Sequence, residues 1–307
     1  MITAAPVAEV TVFGLSSGAV FALLALGLVL IYRTTGVLNF AHWAIGLVAI
    51  VVYVVGTNVG IPPQAAAVIA IAFSVGAGVL SYLLVFKRVP RGRQVIVILI
   101  AIGLAQLFAS LVQFALGFEQ FTRLEPWLPT GDVRIGNANL HATEVITAGL
   151  SIAIAFGFLI WFRLSRTGKA LRAVAQNREA AMLAGIDDVK YSSIAWGIGS
   201  ALAALALLLV MPHTAGEQGG LITTFDVTPL GTLLIPAFGA ALVGGLVHLP
   251  MAMIGGFIFG LARELLILTP KPWSDLRASI AAILILLLLL LRTERFFASR
   301  QELEALE

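Results

Sequence analysis

"RTTGVLNFAHWAIG" (Arg33–Gly46) stands between two long apolar runs, and its reading decides the fold. Upstream, "VTVFGLSSGAVFALLALGLVLIY" (10–32) is long enough to cross a bilayer as a helix; downstream, apolar residues resume and continue to about 55. The single cation Arg33 reads as an anchor at the cytoplasmic face, and Thr34 to Gly36 as the turn between two spans. Asn39 and His42 then fall one to two turns into the second span. Three residues apart, they share a helical face.

The composition fits. The 307 residues are 60% hydrophobic and 11% charged, with a mean hydropathy of +1.01. A water-soluble domain keeps roughly 25% charged residues, so the chain is a polytopic membrane protein. With no Cys it has no disulfide and no thiolate metal site. The basic balance does not point to nucleic acid, because the cations cluster in short inter-helix loops, the pattern that sets membrane orientation. Residues 1–9 hold no Lys or Arg, and the run that follows is too long for a cleaved signal.

Nine segments are apolar and long enough to span: about 10–32, 37–55, 65–86, 95–116, 143–162, 191–211, 228–247, 250–269 and 274–291. They are expected to be helices, since in lipid every backbone N–H and C=O must pair within its own segment. "KRVPRGR" (87–93), the loop 163–190 and the tail 292–307 carry most of the cations; with Arg33 they hold 14 of the 19. Placing them in the cytoplasm puts the N-terminus outside and the C-terminus inside. The stretch 228–269 is so rich in Gly and Pro that it reads either as two spans or as a re-entrant pair. Gly117 to Ala142 is expected to be an external turn-rich cap with a short hairpin. The whole chain then forms one transmembrane domain of eight to nine helices.

The loop 163–190 reads as an amphipathic helix, with Leu171, Val174, Ala175 and Arg178 at spacings of three and four, followed by a short helix "REAAMLAGI" with Gly185 as its C′ glycine. "SRTGKA" is not a P-loop: no Gly precedes Gly168 by five residues, and Ala170 stands where Ser or Thr is required. Glu179-Ala180-Ala181 with Gly185 reads EAA-x-x-x-G. This resembles the cytoplasmic coupling motif of ATP-binding-cassette import permeases; the same residues also suit an ordinary amphipathic connector.

Three segments together resemble the branched-chain amino acid permease family, the first of its two permease paralogues. They are "SGAVFALLALGLVLIYRTTGVLNFAH" with its Gly36-x-x-Asn39-Phe40-Ala41-His42 run, "SRTGKALRAVAQNREAAMLAGI", and "AFGAALVGGLVHLPMAMIGGFIFG". Trp43 departs from the family's Gly, and "RTERFF" stands where the family has a Pro-Thr-Gly-type turn. The resemblance implies an all-α polytopic fold in a bacterial inner membrane, surrounded by membrane lipid. It implies a second permease paralogue, two cytoplasmic ATP-binding subunits gripping Glu179, Ala180, Ala181 and Gly185, and an external substrate-binding protein. It also implies no cofactor on this chain, with ATP and Mg on the partner subunits, and a translocation path lined at Asn39 and His42.

Both polar residues have a plainer reading as interhelical hydrogen-bond glue, about 0.6 kcal/mol per bond. Glu264, beside Arg263, lies within a span and is expected either on the pathway or in an ion network at the outer interface. Gly256 and Gly260, a GxxxG pair, together with Gly36, Gly244 and Gly245, read as sites of close helix packing. His213 and His248 lie at opposite ends of spans, no His or acid pair has metal spacing, and no Ser-His-Asp arrangement occurs, so neither a catalytic nor a metal site is expected. The competing function is a secondary transporter, in which the Gly-rich segments 36–46 and 236–260 would be corresponding halves of an internal two-fold repeat. A purely structural membrane subunit is the third reading.

Overall fold

The computed structural model describes residues 4–89, 93–116, 126–129, 131–135, 138–214, 216–218, 221–224, 232–271 and 273–291. Arg91, the tail 292–307 and most of the external loop lie outside them.

The described residues form eleven α-helices: α1 (Ala4–Thr35), α2 (His42–Asn58), α3 (Pro63–Leu84), α4 (Gln94–Leu116), α5 (Ala142–Leu164), α6 (Arg166–Gln176), α7 (Arg178–Leu183), α8 (Asp188–Thr214), α9 (Leu234–Val243), α10 (Leu249–Leu265) and α11 (Ile280–Leu291). Six segments are long and apolar enough to cross a membrane, namely Val7–Thr35, Pro63–Arg88, Gln94–Ala115, Ala142–Leu164, Asp188–Met211 and Leu249–Leu268. The protein is an all-α polytopic membrane protein. Two short antiparallel hairpins accompany the helices: β1 (Asp132–Ile135) with β2 (Ala138–His141), in the expected cap, and β3 (Gly216–Gln218) with β4 (Leu221–Thr224), which the sequence reading did not anticipate.

α1 and α8 form the centre. The spanning window of α1 is 89% enclosed by the rest of the chain, against 17% for α4, whose Val95, Leu99 and Phe114 face outward. Small residues let the central helices touch. α10 runs antiparallel to α1, with Gly260 against Gly14 and Gly18, and Gly256 against Ala22. α8 lies against α1 through Gly199, against α2 where Gly46 meets Ala203, and against α3 where Gly78 meets Ser200 and the Trp196 carbonyl. The hydroxyl of Ser74 donates to the Ile45 carbonyl at 3.1 Å and the Ser200 carbonyl at 3.3 Å, joining three helices. A second apolar cluster gathers Tyr82 and Phe86 around Trp196, centroids 5.9 and 4.6 Å away.

Three expected spans are shorter than read. The second begins at His42, not at 37, because Gly36 to Ala41 is not helical. α9 has ten residues, so at 1.5 Å per residue it reaches about 15 Å, half of a roughly 30 Å hydrocarbon core. The last begins at Ile280, since Trp273–Ala278 forms a 3-10 turn. The described residues hold six long helices and three short apolar ones, nine apolar helices where eight to nine spans were expected.

Two glycines expected to pack helices do something else. Gly36 (φ +70°) has open space where a Cβ would stand, and Gly245 has φ +61°. Both hold a left-handed backbone that side chains resist. Gly244, Gly256 and Gly260 are close-contact sites: a Cβ on Gly244 would stand 2.5 Å from the His248 carbonyl oxygen.

Candidate functional site

The break between α1 and α2 is built by its polar residues. At the end of α1, the hydroxyls of Thr34 and Thr35 donate to the Leu30 and Ile31 carbonyls at 2.9 and 2.7 Å, and the Gly36 amide closes onto the Tyr32 carbonyl at 2.7 Å. Val37 and Leu38 then carry the chain, outside any helix, to Asn39, whose Oδ1 accepts from the Ala41 amide at 3.0 Å, while the His42 amide donates to the Asn39 carbonyl at 3.1 Å. This is an Asx-type turn. Asn39 therefore sits ahead of α2 and His42 is its first residue, so the two do not share a helical face. They remain neighbours because the turn folds them together.

Both are buried. The Nδ2 of Asn39 has no hydrogen-bond partner among the described residues, and the His42 ring lies against the Leu24 backbone. The imidazole occupies the place of an absent side chain: a Cβ on Gly27 would lie 2.6 Å from its Cε1 and Nε2. The sequence reading missed Gly27, although a glycine inside a spanning helix is itself a signal of close approach. Trp43, the departure from the family pattern, is half-buried and packs against both apolar clusters.

The second break faces the first. α9 ends with the Gly245 amide on the Leu242 carbonyl and the Leu246 amide on the Ala241 carbonyl, at 2.8 and 2.9 Å. This is the paired closure of a Schellman motif. Leu246 holds φ +59° without being glycine. Leu246, Leu234 and Phe238 then meet Leu38, Asn39 and Phe40 around a void of about 10 Å³, with the Phe40 and Phe238 rings 5.5 Å apart. A void of that size admits about one water. The two breaks thus close on each other at this level.

Glu264 is elsewhere. It lies beside Gly14 and Ser17 of α1, whereas His42 lies beside Gly27, about 20 Å further along the helix. Its carboxylate is buried and forms an ion pair with Arg277, with Arg263 Nε at 3.7 Å and the Ser17 hydroxyl at 3.5 Å. The structure thus places Glu264 in an ion network, apart from Asn39 and His42. Arg277, reached from the 3-10 turn, was missed because it reads as part of the last span.

The loop after α5 is rigid by construction. Ser165 caps α6 by accepting from the Gly168 amide at 2.9 Å, and a Cβ on Gly168 would stand 2.1 Å from the Phe162 oxygen. "SRTGKA" is thus a helix cap and a close crossing. Asn177 caps α7, accepting from the Ala180 amide at 2.9 Å. Gly185, at φ +82°, ends α7 with its amide on the Met182 carbonyl and the Ile186 amide on the Ala181 carbonyl, both 2.9 Å. Ala181 is buried, whereas Glu179, Ala180 and Met182 are exposed, and Leu183 is 91% exposed. An ion pair of Arg178 with Asp188 fixes α7 to the start of α8, where Asp187 accepts from the Lys190 amide at 3.1 Å. Met182, Leu183 and this ion pair were not singled out from sequence, although Asn177 ahead of "REAA" is a recognisable cap signal. A cavity of about 500 Å³ joins Arg178 and Asp188 to Thr35–Val37, at the start of the α1–α2 break.

The family model described as the permease component of the branched-chain amino acid transport system matches residues 10–293. The high-affinity branched-chain amino acid transport system permease protein LivH of Escherichia coli K12 is 28% identical over 82% of this chain and 83% of its own. BraD of Pseudomonas aeruginosa, of the same description, is 25% identical over 95% of each. A metal-chelate type ABC transporter solved in an inward-facing conformation is similar at 18% identity and a TM-score of 0.48, over 92% of this chain and 85% of that one. The chain belongs to the branched-chain amino acid transport system permease family.

Proposed function

We propose that this chain is the membrane-spanning permease subunit of an ABC importer for branched-chain amino acids, working beside a second permease paralogue. Two cytoplasmic ATP-binding subunits, which bind ATP and Mg, drive it, and an external binding protein delivers substrate. The N-terminus is outside, and the α6–α7 element and C-terminus are cytoplasmic. The observation that carries the reading is α7, a short helix closed at both ends, ion-paired to α8, with Met182 and Leu183 presented to solvent. An exposed leucine on a rigid, tethered helix fits the groove of a partner that pushes or pulls it as a body.

The facing breaks suit the cargo. The Asn39 amide and the start of α2 offer donors and the positive end of a helix dipole to a carboxylate, as broken helices do in transporters. Leu38, Phe40, Leu234 and Phe238 offer an apolar surface to an aliphatic side chain. Movement of α7 reaches this place through α8, which packs on both α1 and α2.

The test is to replace Met182 and Leu183 together by Glu and to reconstitute the permease with its cognate ATPase subunits. Co-purification of the ATPase and ATP-dependent leucine uptake are both expected to fall about tenfold or more, the effect of losing an interface hot spot. Uptake that continues without ATPase subunits, or with the substitutions in place, refutes the reading in favour of a secondary transporter.

A further inference from the structure

Where α5 ends, a cleft of about 490 Å³ opens between the ends of α1 and α5 and the start of α10. Its lining divides by chemistry. Leu159, Ile160, Leu249 and Pro250 make an apolar wall, and Arg33, Arg163, Arg172 and His248 make a basic rim. Among the described residues that line it, none is acidic.

The arginines are unusually placed. Arg33 and Arg172 come from different helices, yet both guanidinium groups sit over the one Phe162 ring, 5.9 and 5.5 Å from its centroid. Arg172 also donates to the Phe162 carbonyl. Cation–π contact holds each group, but like charges brought to one ring repel, and the start of α10 adds the positive end of its dipole. Orientation alone requires cations at this face, not their convergence on one ring beside an apolar cleft. Trp161, 38% exposed on α5 next to the cleft, is an aromatic residue of the kind that settles at the headgroup level. Ile160 and Leu164 beside it are exposed to the surroundings of the bundle.

We infer that this cleft binds an anionic phospholipid, its phosphate held by Arg33, Arg172 and Arg163 and an acyl chain laid along Leu159, Ile160 and Leu249. The site does not depend on which solute is carried. Basic pockets between helices at a membrane face take such headgroups. The lipid would supply the missing counter-charge between α1, α5 and α6, stiffening the base on which the coupling loop stands.

The experiment is native mass spectrometry of the purified full chain, titrated in micelles with phosphatidylglycerol, phosphatidylcholine or inorganic phosphate. One tightly retained phosphatidylglycerol is expected, with phosphatidylcholine retained more weakly and inorganic phosphate unable to displace the lipid. Arg33→Gln, Arg163→Gln and Arg172→Gln should each weaken phosphatidylglycerol retention about fivefold, and two together about 25-fold, without changing phosphatidylcholine retention. Arg163 is exposed, so its variant keeps the test usable if a more enclosed arginine is needed for folding. Equal retention of the two lipids by the parent chain, or variants whose phosphatidylglycerol retention is unchanged, overturns the proposal. Displacement by inorganic phosphate at matching affinity overturns the lipid assignment in favour of a soluble-anion site.

Discussion

Gly260→Ala offers a direct probe of the packing between α1 and α10. A Cβ at 260 would stand 2.3 Å from both Cα and N of Gly18 and 2.5 Å from the Gly14 carbonyl oxygen. All three are backbone atoms, so no rotamer change can relieve the overlap. Carbon contacts settle at about 3.5 to 4.0 Å, so the helices must part by about 1 Å. A gap of that size forfeits a quarter to a half of the dispersion attraction of every atom pair along the seam. Overpacking of this kind costs about 1–3 kcal/mol, and Gly260→Ala should lie at the upper end. Gly256→Ala should cost about as much, since its Cβ meets Ala22 N and Cα at 2.5 and 2.6 Å; Ala22→Gly should rescue it only in part. Gly103→Ala is the control, with nothing within 4 Å of its Cβ on the outer helix α4. Unfolding free energies in mixed micelles, followed by helical circular dichroism, measure all four. A Gly260→Ala protein as stable as the parent, or a Gly103→Ala protein equally weakened, refutes the reasoning.

Arg277→Ala strips the buried Glu264 carboxylate of its main partner and should cost about 3 kcal/mol; adding Glu264→Ala should recover part of that, which a double-mutant cycle on unfolding free energy reads. Gly185→Ala imposes about 1 kcal/mol of left-handed strain on the end of α7. It should reduce ATPase association in pull-down, while Gly185→Asn does so less. Asn39→Leu removes an unpartnered buried donor together with the Asx-turn acceptor. Stability should therefore stay within about 1 kcal/mol while leucine uptake in proteoliposomes falls; a large loss of stability with uptake per folded molecule unchanged would mark Asn39 as glue.

Much of the fold is legible in the sequence because lipid demands long uninterrupted apolar runs. α3, α4, α5 and α8 start and end within three residues of the runs that announce them. The breaks are not legible. Val37, Leu38 and Phe40 are as apolar in an extended strand as in a helix, so hydropathy extends the second span through them, and only the turn chemistry of Asn39 shows otherwise. α9 is overestimated for a like reason. The pairing of Gly256 and Gly260 with α1 was half visible, since Gly14 and Gly18 have the same spacing, but nothing in a single chain says which two small-residue faces meet. The reading of α7 succeeded where local rules govern: a short helix and a C′ glycine need no partner to be recognised, whereas its Asn177 cap was not singled out. Its tie to α8 escaped because Arg178 and Asp188 are ten positions apart and join only when the loop turns back.

The enclosure of α1 has a consequence for biogenesis. Ribosomal synthesis delivers α1 to the bilayer long before α8 and α10 exist, so the helix that ends up most surrounded by protein first stands with lipid on every side. Its sequence is apolar around its whole circumference, which suits that waiting period. The narrow furrow at Gly14 and Gly18 stays filled by acyl chains until α10 displaces them. Assembly of this permease is thus an exchange of lipid for glycine, completed only when the carboxyl-terminal third of the chain has been inserted.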